Sequence, residues 1–161
     1  MTVKEYNTCV DSHSDAVYRF ILHNIKDKDD ARDIVQDTYE KLWMNYEGVS
    51  FEKAKSYIFT TAYRTMIDKI RRSSKMVRME DHHTAASGHT HQYNDLKKVI
   101  REALDTIPEI QRTVIMLRDY EGYSYQEIGD ITGLSESQVK VYIYRARTSL
   151  KQYIGDIENV V

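Results

Sequence analysis

The stretch YSYQEIGDITGLSESQVKVYIYRARTSL, from Tyr123 to Leu150, writes a helix-start signal twice with a glycine between the two. Ser124 stands three residues before Glu127, and Ser135 stands three before Gln138. In each such capping box the serine oxygen accepts the backbone N–H three residues on, while the Glu or Gln side chain accepts from the N-cap N–H. Gly133 between them can take the left-handed conformation that ends a helix, and Leu134 can seal the turn hydrophobically. Local chemistry therefore predicts helix, tight turn, helix. In the second of these helices Val139, Tyr142, Ile143, Ala146 and Leu150 share one stripe, suited to packing on Ile128 and Ile131. The other stripe presents Ser137, Lys140, Val141 and Tyr144, with Glu136, Gln138 and Arg145 flanking. A recognition helix offers its side chains to a major groove in this way. Gln can pair with adenine, Lys with guanine or phosphate, and Val with a thymine methyl, while the helix N-terminus favours a phosphate. An ordinary helical hairpin with a solvated basic face has the same pattern, and context separates the two.

Helical spacing runs through most of the remaining chain. Its 161 residues include one proline and six glycines, and the apolar residues recur three and four apart, which predicts helices nearly throughout and no alternating strand. A first helix is expected to begin after Asp11 or Ser12, with Val17, Phe20, Ile21 and Ile25 as its stripe, and to be broken by Lys26 to Asp30. Ala31, Ile34, Val35, Thr38 and Leu42 define a second helix, and Phe59, Ala62, Tyr63, Met66 and Ile70 a third. From about Met76 to Tyr93 the period fails, and the polar text MVRMEDHHTAASGHTHQY reads as a flexible linker. Periodicity resumes with Leu96, Val99, Ile100, Ala103 and Leu104, stops before Pro108, and restarts with Ile110, Thr113, Val114 and Leu117; Pro108 suits a first helical turn. The expected fold is all-α, with two small helical domains over residues 1–75 and 94–161 joined by the linker over 76–93.

A formal net charge of -2 is awkward for a nucleic-acid binder, because phosphates dominate that affinity. The distribution matters more. Asp27, Asp29, Asp30, Asp33, Asp37 and Glu40 make an acidic segment, whereas Arg71, Arg72, Lys75 and Arg78 form a basic run and Lys140, Arg145, Arg147 and Lys151 a second basic cluster. The chain thus has two kinds of face. Its single cysteine, Cys9, excludes an internal disulfide, and no apolar run is long enough for a signal-peptide core or a membrane span; a reducing cytoplasm is the expected location.

Each constellation has a chemical and a plain reading. Tyr57, Thr60, Thr61, Arg64 and Arg71 combine aromatic, hydroxyl and cationic groups on one helix, a mixture suited to unstacked bases and a single-strand backbone, though a solvated helix end has the same residues. Asp33, Gln36, Asp37, Glu40 and Trp43 suit docking on a basic protein partner, with Trp43 as anchor, against the plain reading of a solvated acidic face. His82, His83, His89 and His91 invite a metal, but no cysteine and no ordered helix accompanies them, so no metal site and no cofactor are expected. Nor is there a nucleophile elbow or a phosphate-cradling glycine loop.

Taken in order, DARDIVQDTYEKLW, SYIFTTAYRTMIDKIRR and the doubled capping-box stretch resemble the bacterial extracytoplasmic-function sigma factors, a small branch of the primary sigma family. The resemblance covers nearly the whole chain, with regions two and four joined by a short linker. It implies a promoter-specificity subunit of RNA polymerase and not an enzyme, with core RNA polymerase, promoter DNA and an anti-sigma factor as partners and no insertion into a membrane. Asp33, Gln36, Asp37 and Trp43, with Glu40 beside them, fall on the stretch that binds the polymerase clamp helices in such proteins. The loop from Ser50 to Lys55 and the helix from Ser56 to Arg72 match the part that captures and opens the -10 element. The span from Ser135 to Arg147 matches the helix that reads the -35 element as duplex. Arg64 stands where many relatives carry Asn, and Val141-Tyr142 replaces a small and basic pair, so the resemblance does not carry over which bases are read. The paired tryptophans of housekeeping sigma factors are missing from the Tyr57 to Arg72 helix. Two other functions compete: a stand-alone helix-turn-helix regulator, which would need a dimerisation helix not evident here, and a metal-dependent enzyme centred on the histidine tract.

Overall fold

The computed structural model describes residues 1–77 and 95–160. They form α1 (Val3–Ile25), α2 (Lys28–Asn45), two 3-10 turns (Tyr46–Gly48 and Phe51–Lys53), α3 (Ala54–Val77), α4 (Asp95–Thr106), α5 (Glu109–Ile115), α6 (Tyr125–Thr132) and α7 (Glu136–Val160). A π-helical turn, Met116–Tyr120, extends α5. The described residues are thus all-helical, as the spacing predicts.

Local chemistry explains the boundaries, including those that the sequence reading placed differently. α1 starts at Val3 and not after Asp11 or Ser12, because Thr2 and Glu5 make a capping box: Glu5 N–H donates to Thr2 Oγ1 at 3.1 Å and Thr2 N–H to Glu5 Oε1 at 2.9 Å. The break after α1 is also narrower than Lys26 to Asp30. Lys26 turns the chain in the left-handed region at φ 58, donating its N–H to Leu22 O, and Asp27 at once caps α2 by accepting from Asp30 N–H at 3.0 Å. Pro108 is the N-cap of α5 at φ -57 and ψ 150, one position ahead of the first turn in which it was expected. Both boxes of the opening stretch close: Glu127 N–H donates to Ser124 Oγ and Gln138 N–H to Ser135 Oγ, each at 3.1 Å, with the reciprocal bonds at 3.0 and 2.9 Å. Gly133 ends α6 at φ 81. The third helix runs on to Val77, and the rest of the segment read as a linker, with His82, His83, His89 and His91, lies outside the described residues.

α1, α2 and α3 pack as one bundle, and α4 to α7 as another. Their mutual arrangement, which the sequence leaves open, is a direct contact. Phe20 meets Phe59 edge-on at 5.6 Å between ring centres, and Phe59 meets Tyr123 at 5.7 Å, so one run of aromatic rings crosses from α1 through α3 to the segment before α6. Val114, Leu117, Ile128, Ile131, Val139 and Ile143 join the same apolar core as Ile34, Leu42 and Ile58. A smaller cluster of Leu104, Ile107, Ile115 and Ala146 closes the far side of the second bundle.

Polar bolts cross the contact, among them the exposed pair of Lys26 with Asp105 Oδ1 at 3.6 Å. Arg112, almost fully buried, donates from Nε to Asn24 Oδ1 at 3.1 Å and from Nη1 to Leu104 O at 3.4 Å, while Asn24 donates onward to Phe20 O. A buried guanidinium needs such partners, since an unpaired one costs several kcal/mol, on the order of 3–5. Lys55 of α3 reaches Glu121 Oε1 at 3.5 Å and lies over the rings of Phe59 and Tyr123.

Candidate nucleic-acid interface

α7 is buried on one side only. Val139, Ile143 and Ala146 are in the core, with Tyr142 and Leu150 half-buried beside them. On the opposite side Ser135, Glu136, Ser137, Gln138, Lys140, Val141, Tyr144, Arg145 and Arg147 are all exposed, Tyr144 at 72% and Val141 at 45%. Exposed Val and Tyr beside Lys and Gln give hydrogen-bonding and apolar groups along one open face, which is the chemistry of base-edge readout.

Not all of these groups are idle. Lys140 Nζ pairs with Glu136 Oε1 at 3.6 Å, one helical turn back. Arg147 donates to Asp119 Oδ1 at 2.6 Å and Oδ2 at 3.4 Å. The π-helical turn carries Asp119, and the carboxylate raises the Arg147 pKa above its ordinary value. Exposed pairs of this kind are worth about 0–1 kcal/mol, so a phosphate can exchange with either carboxylate at little cost.

On α3 the exposed residues are Arg64, Arg71 and Arg72, whereas Tyr57, Thr60 and Thr61 are half-buried. Arg72 also donates to Asp68 O at 3.4 Å. The Tyr57 hydroxyl accepts from Asn45 Nδ2 at 3.3 Å. Tyr57 is one wall of an open cleft of about 640 Å³ whose other walls are Met44, Asn45, Tyr46, Glu47, Gly48 and Val49. Of these, only Tyr57 was named from the sequence. The others belong to the end of α2 and the following 3-10 turn, where no periodicity marks a site. The other side of α3 packs on the second bundle, where Lys55, Ser56 and Phe59 meet Glu121 and Tyr123.

The acidic stripe lies on the outer side of α2, where Asp33, Gln36, Asp37, Glu40 and Trp43 are all exposed. Gln36 Nε2 donates to Glu40 Oε1 at 3.4 Å, and Lys69 of α3 sits 3.6 Å from Asp33 and 3.2 Å from Asp30. Trp43 is 47% exposed, stacked on Tyr46 at 5.0 Å and met edge-on by Tyr6 at 5.1 Å, so the indole is held by rings while much of it stays open. Met44, 81% exposed, extends that apolar patch. Among the described residues, no group of three His, Cys, Asp or Glu side chains could hold a metal ion, and no helix is long and apolar enough to cross a membrane.

Two family models match this chain: sigma-70 region 2 over residues 9–76 and sigma-70 region 4 over residues 97–150. The chain is 35% identical to RNA polymerase sigma factor SigV of Bacillus subtilis (strain 168), over 86% of this chain and 84% of that one. It is 29% identical to the ECF RNA polymerase sigma factor SigM of the same strain, over 84% of this chain and 86% of the relative. A similar solved structure is the sigma factor RpoE in complex with the anti-sigma factor NepR from Bartonella quintana, at a TM-score of 0.82 and 25% identity, covering 95% of this chain and 98% of that one.

Proposed function

The chain belongs to the extracytoplasmic-function sigma factors of the sigma-70 family, RNA polymerase subunits that direct transcription initiation and are not enzymes, and on that premise we propose how its exposed surfaces divide the work. The outer stripe of α2, with Asp33, Gln36, Asp37, Glu40 and Trp43, docks on core RNA polymerase. Tyr57, Thr60, Thr61, Arg64, Arg71 and Arg72 of α3, with the cleft beside Tyr57, take the -10 element as it opens. The open face of α7, from Ser135 to Arg147, reads the -35 element in duplex form.

The single observation that carries this reading is the split character of α7: one stripe in the core, and nine polar, cationic and apolar candidates, all exposed, on the other stripe. Exposed Val141 and Tyr144 among the cations of that stripe supply apolar contact beside charge, the mixture that serves base edges and phosphates together. Opening DNA costs a few kcal/mol, roughly, per unstacked step, and capture of an extruded base plus phosphate contacts offsets that cost without a fuel-binding loop. The mildly acidic chain then binds promoters well only when polymerase adds positive surface and holds both DNA-binding units on one template.

RpoE, which has a similar shape, is solved with an anti-sigma factor, and we extend that class of partner to this chain. The proposed location is the cytoplasm, where polymerase works. The test is reconstitution: this protein added to core polymerase gives initiation from a restricted set within a broad promoter pool, and Lys140→Ala relaxes the base preference in the upstream element. Initiation at no promoter would overturn the assignment of the DNA-reading surfaces. So would a Lys140→Ala profile identical to wild type in the case of α7.

A further inference from the structure

We propose that Tyr125, a residue of α6 and not of the recognition helix, positions the DNA-reading cations of α7 and so helps determine sequence specificity. The proposal rests on α7 being the reader of the upstream element.

Tyr125 is the first residue of α6, and the Ser124–Glu127 capping box fixes its backbone. Two cations lie against its half-buried ring. The guanidinium carbon of Arg118 is 4.6 Å from the ring centre and the ammonium of Lys140 is 5.6 Å from it. Arg118 is itself tethered, donating from Nη1 to Tyr123 O at 2.9 Å, so the ring is held by a group that cannot swing away. The same phenol bears on Arg147: after the dominant Asp119 carboxylate, Tyr125 also helps to raise that guanidinium's pKa. One side chain from the first helix of the motif thus reaches two cations of the second.

The consequence follows from the nature of lysine. Its ammonium is a point charge on a flexible four-carbon stem and carries no directional fork, so a loose lysine samples phosphates and base edges alike. Apart from Tyr125, the contact that restrains Lys140 is the exposed pair with Glu136 at 3.6 Å, which is weak in water. An aromatic face beneath the ammonium narrows its range, and a narrowed range turns a general phosphate contact into a preference for one base position.

The test uses holoenzyme formed with core polymerase and a promoter pool randomised across the upstream element. Lys140→Ala is expected to flatten the preference at one base position. Tyr125→Leu, which removes the ring, should weaken the preference at that same position by about 2- to 5-fold, and the double variant should be no flatter there than Lys140→Ala alone. Tyr125→Phe keeps the ring and should keep that preference, while lowering occupancy roughly evenly over the pool through the lost hydroxyl near Arg147. It also serves if Tyr125→Leu fails to fold by circular dichroism. A Tyr125→Leu profile with the preference intact, an effect simply additive with Lys140→Ala, or a preference lost in Tyr125→Phe would each overturn the positioning role. If Lys140→Ala changes no position at all, the DNA-reading assignment of α7 falls, and the role of Tyr125 falls with it.

Discussion

A β-carbon added at Gly129 would stand 2.7 Å from the carbonyl oxygen of Leu134, a backbone atom that cannot step aside as a flexible side chain would. The turn between α6 and α7 therefore folds back close against α6, and only a residue without a side chain lets it. Gly129→Ala should cost about 1–3 kcal/mol, by overpacking, and should appear as a lower urea midpoint with an unchanged slope. Gly133 fails for a different reason. Nothing crowds it, but at φ +81 any L side chain is strained, and Gly133→Ala should cost about 1–2 kcal/mol in the same measurement. The two glycines also differ in how far the sequence shows them. Gly133 sits between two capping boxes, and a helix stop there follows from its neighbours. Gly129 lies inside a helical run and looks like a mere weak point, because the atom that excludes a methyl group arrives from the next turn of chain. Tyr125 is hidden in the same way: it reads as one more aromatic until α7 brings Lys140 above its ring.

At the scale of elements, α2 shows how a helix can serve two masters. Ala31, Ile34, Thr38 and Leu42 are fully buried against α1 and α3, while Asp33, Gln36, Asp37 and Glu40 stay in water on the other side. A charge reversal on the outer stripe should accordingly leave the fold alone. Asp37→Arg is expected to weaken binding to core polymerase by roughly 10-fold or more, by placing like charge against a basic partner, with a melting temperature within about a degree or two of wild type. Equal affinity in a pull-down or by surface plasmon resonance would remove α2 from the docking surface. Amphipathic spacing made this stripe legible, since buried and exposed positions on one helix follow from its 3.6-residue period alone. The start of α1 was less so: Thr2-Val-Lys-Glu5 is a capping box of the kind recognised at Ser124 and Ser135, but the apolar stripe used to place the helix began only at Val17. The cleft beside Tyr57 escaped because half its wall is 3-10 turn, which has no apolar period to read.

For the molecule as a whole, the contact between the bundles sets a condition on function. On the proposed division the -10 element falls to α3 and the -35 element to α7, each step of duplex between them adds about 3.4 Å, and α3 touches the entry to α6 through Phe59 and Tyr123. If those two surfaces read both elements at once, the contact must open. Its polar bolts have two imidazoles beside them. His23 on α1 is held below its ordinary pKa of 6.5, first by burial, with Asp105 of α4 opposing and Arg101 of α4, Arg112 of α5 and its own neighbour Arg19 adding to the lowering. His13, likewise lowered first by burial, has Lys55 of its own bundle lowering it further and Glu121 across the contact opposing, so it gives opening no comparable electrostatic push. A lowered imidazole favours the closed form in its neutral state. That stability is fully present above 6.5 and is lost as the pH falls, because the open or unfolded chain then takes up a proton that the closed chain resists, until the pH passes the depressed values. A fluorescent pair at the exposed positions Asp68 and Tyr144 should therefore lose energy transfer on going from about pH 7.5 to about pH 5.5, and lose less when His23 is Gln. At the higher pH, core polymerase should produce the same loss without acid. If the Gln variant responds to acid as wild type does, the His23 imidazole is idle; if polymerase leaves the transfer unchanged, the closed arrangement is the one that loads, and the two proposed DNA surfaces do not act together on one promoter.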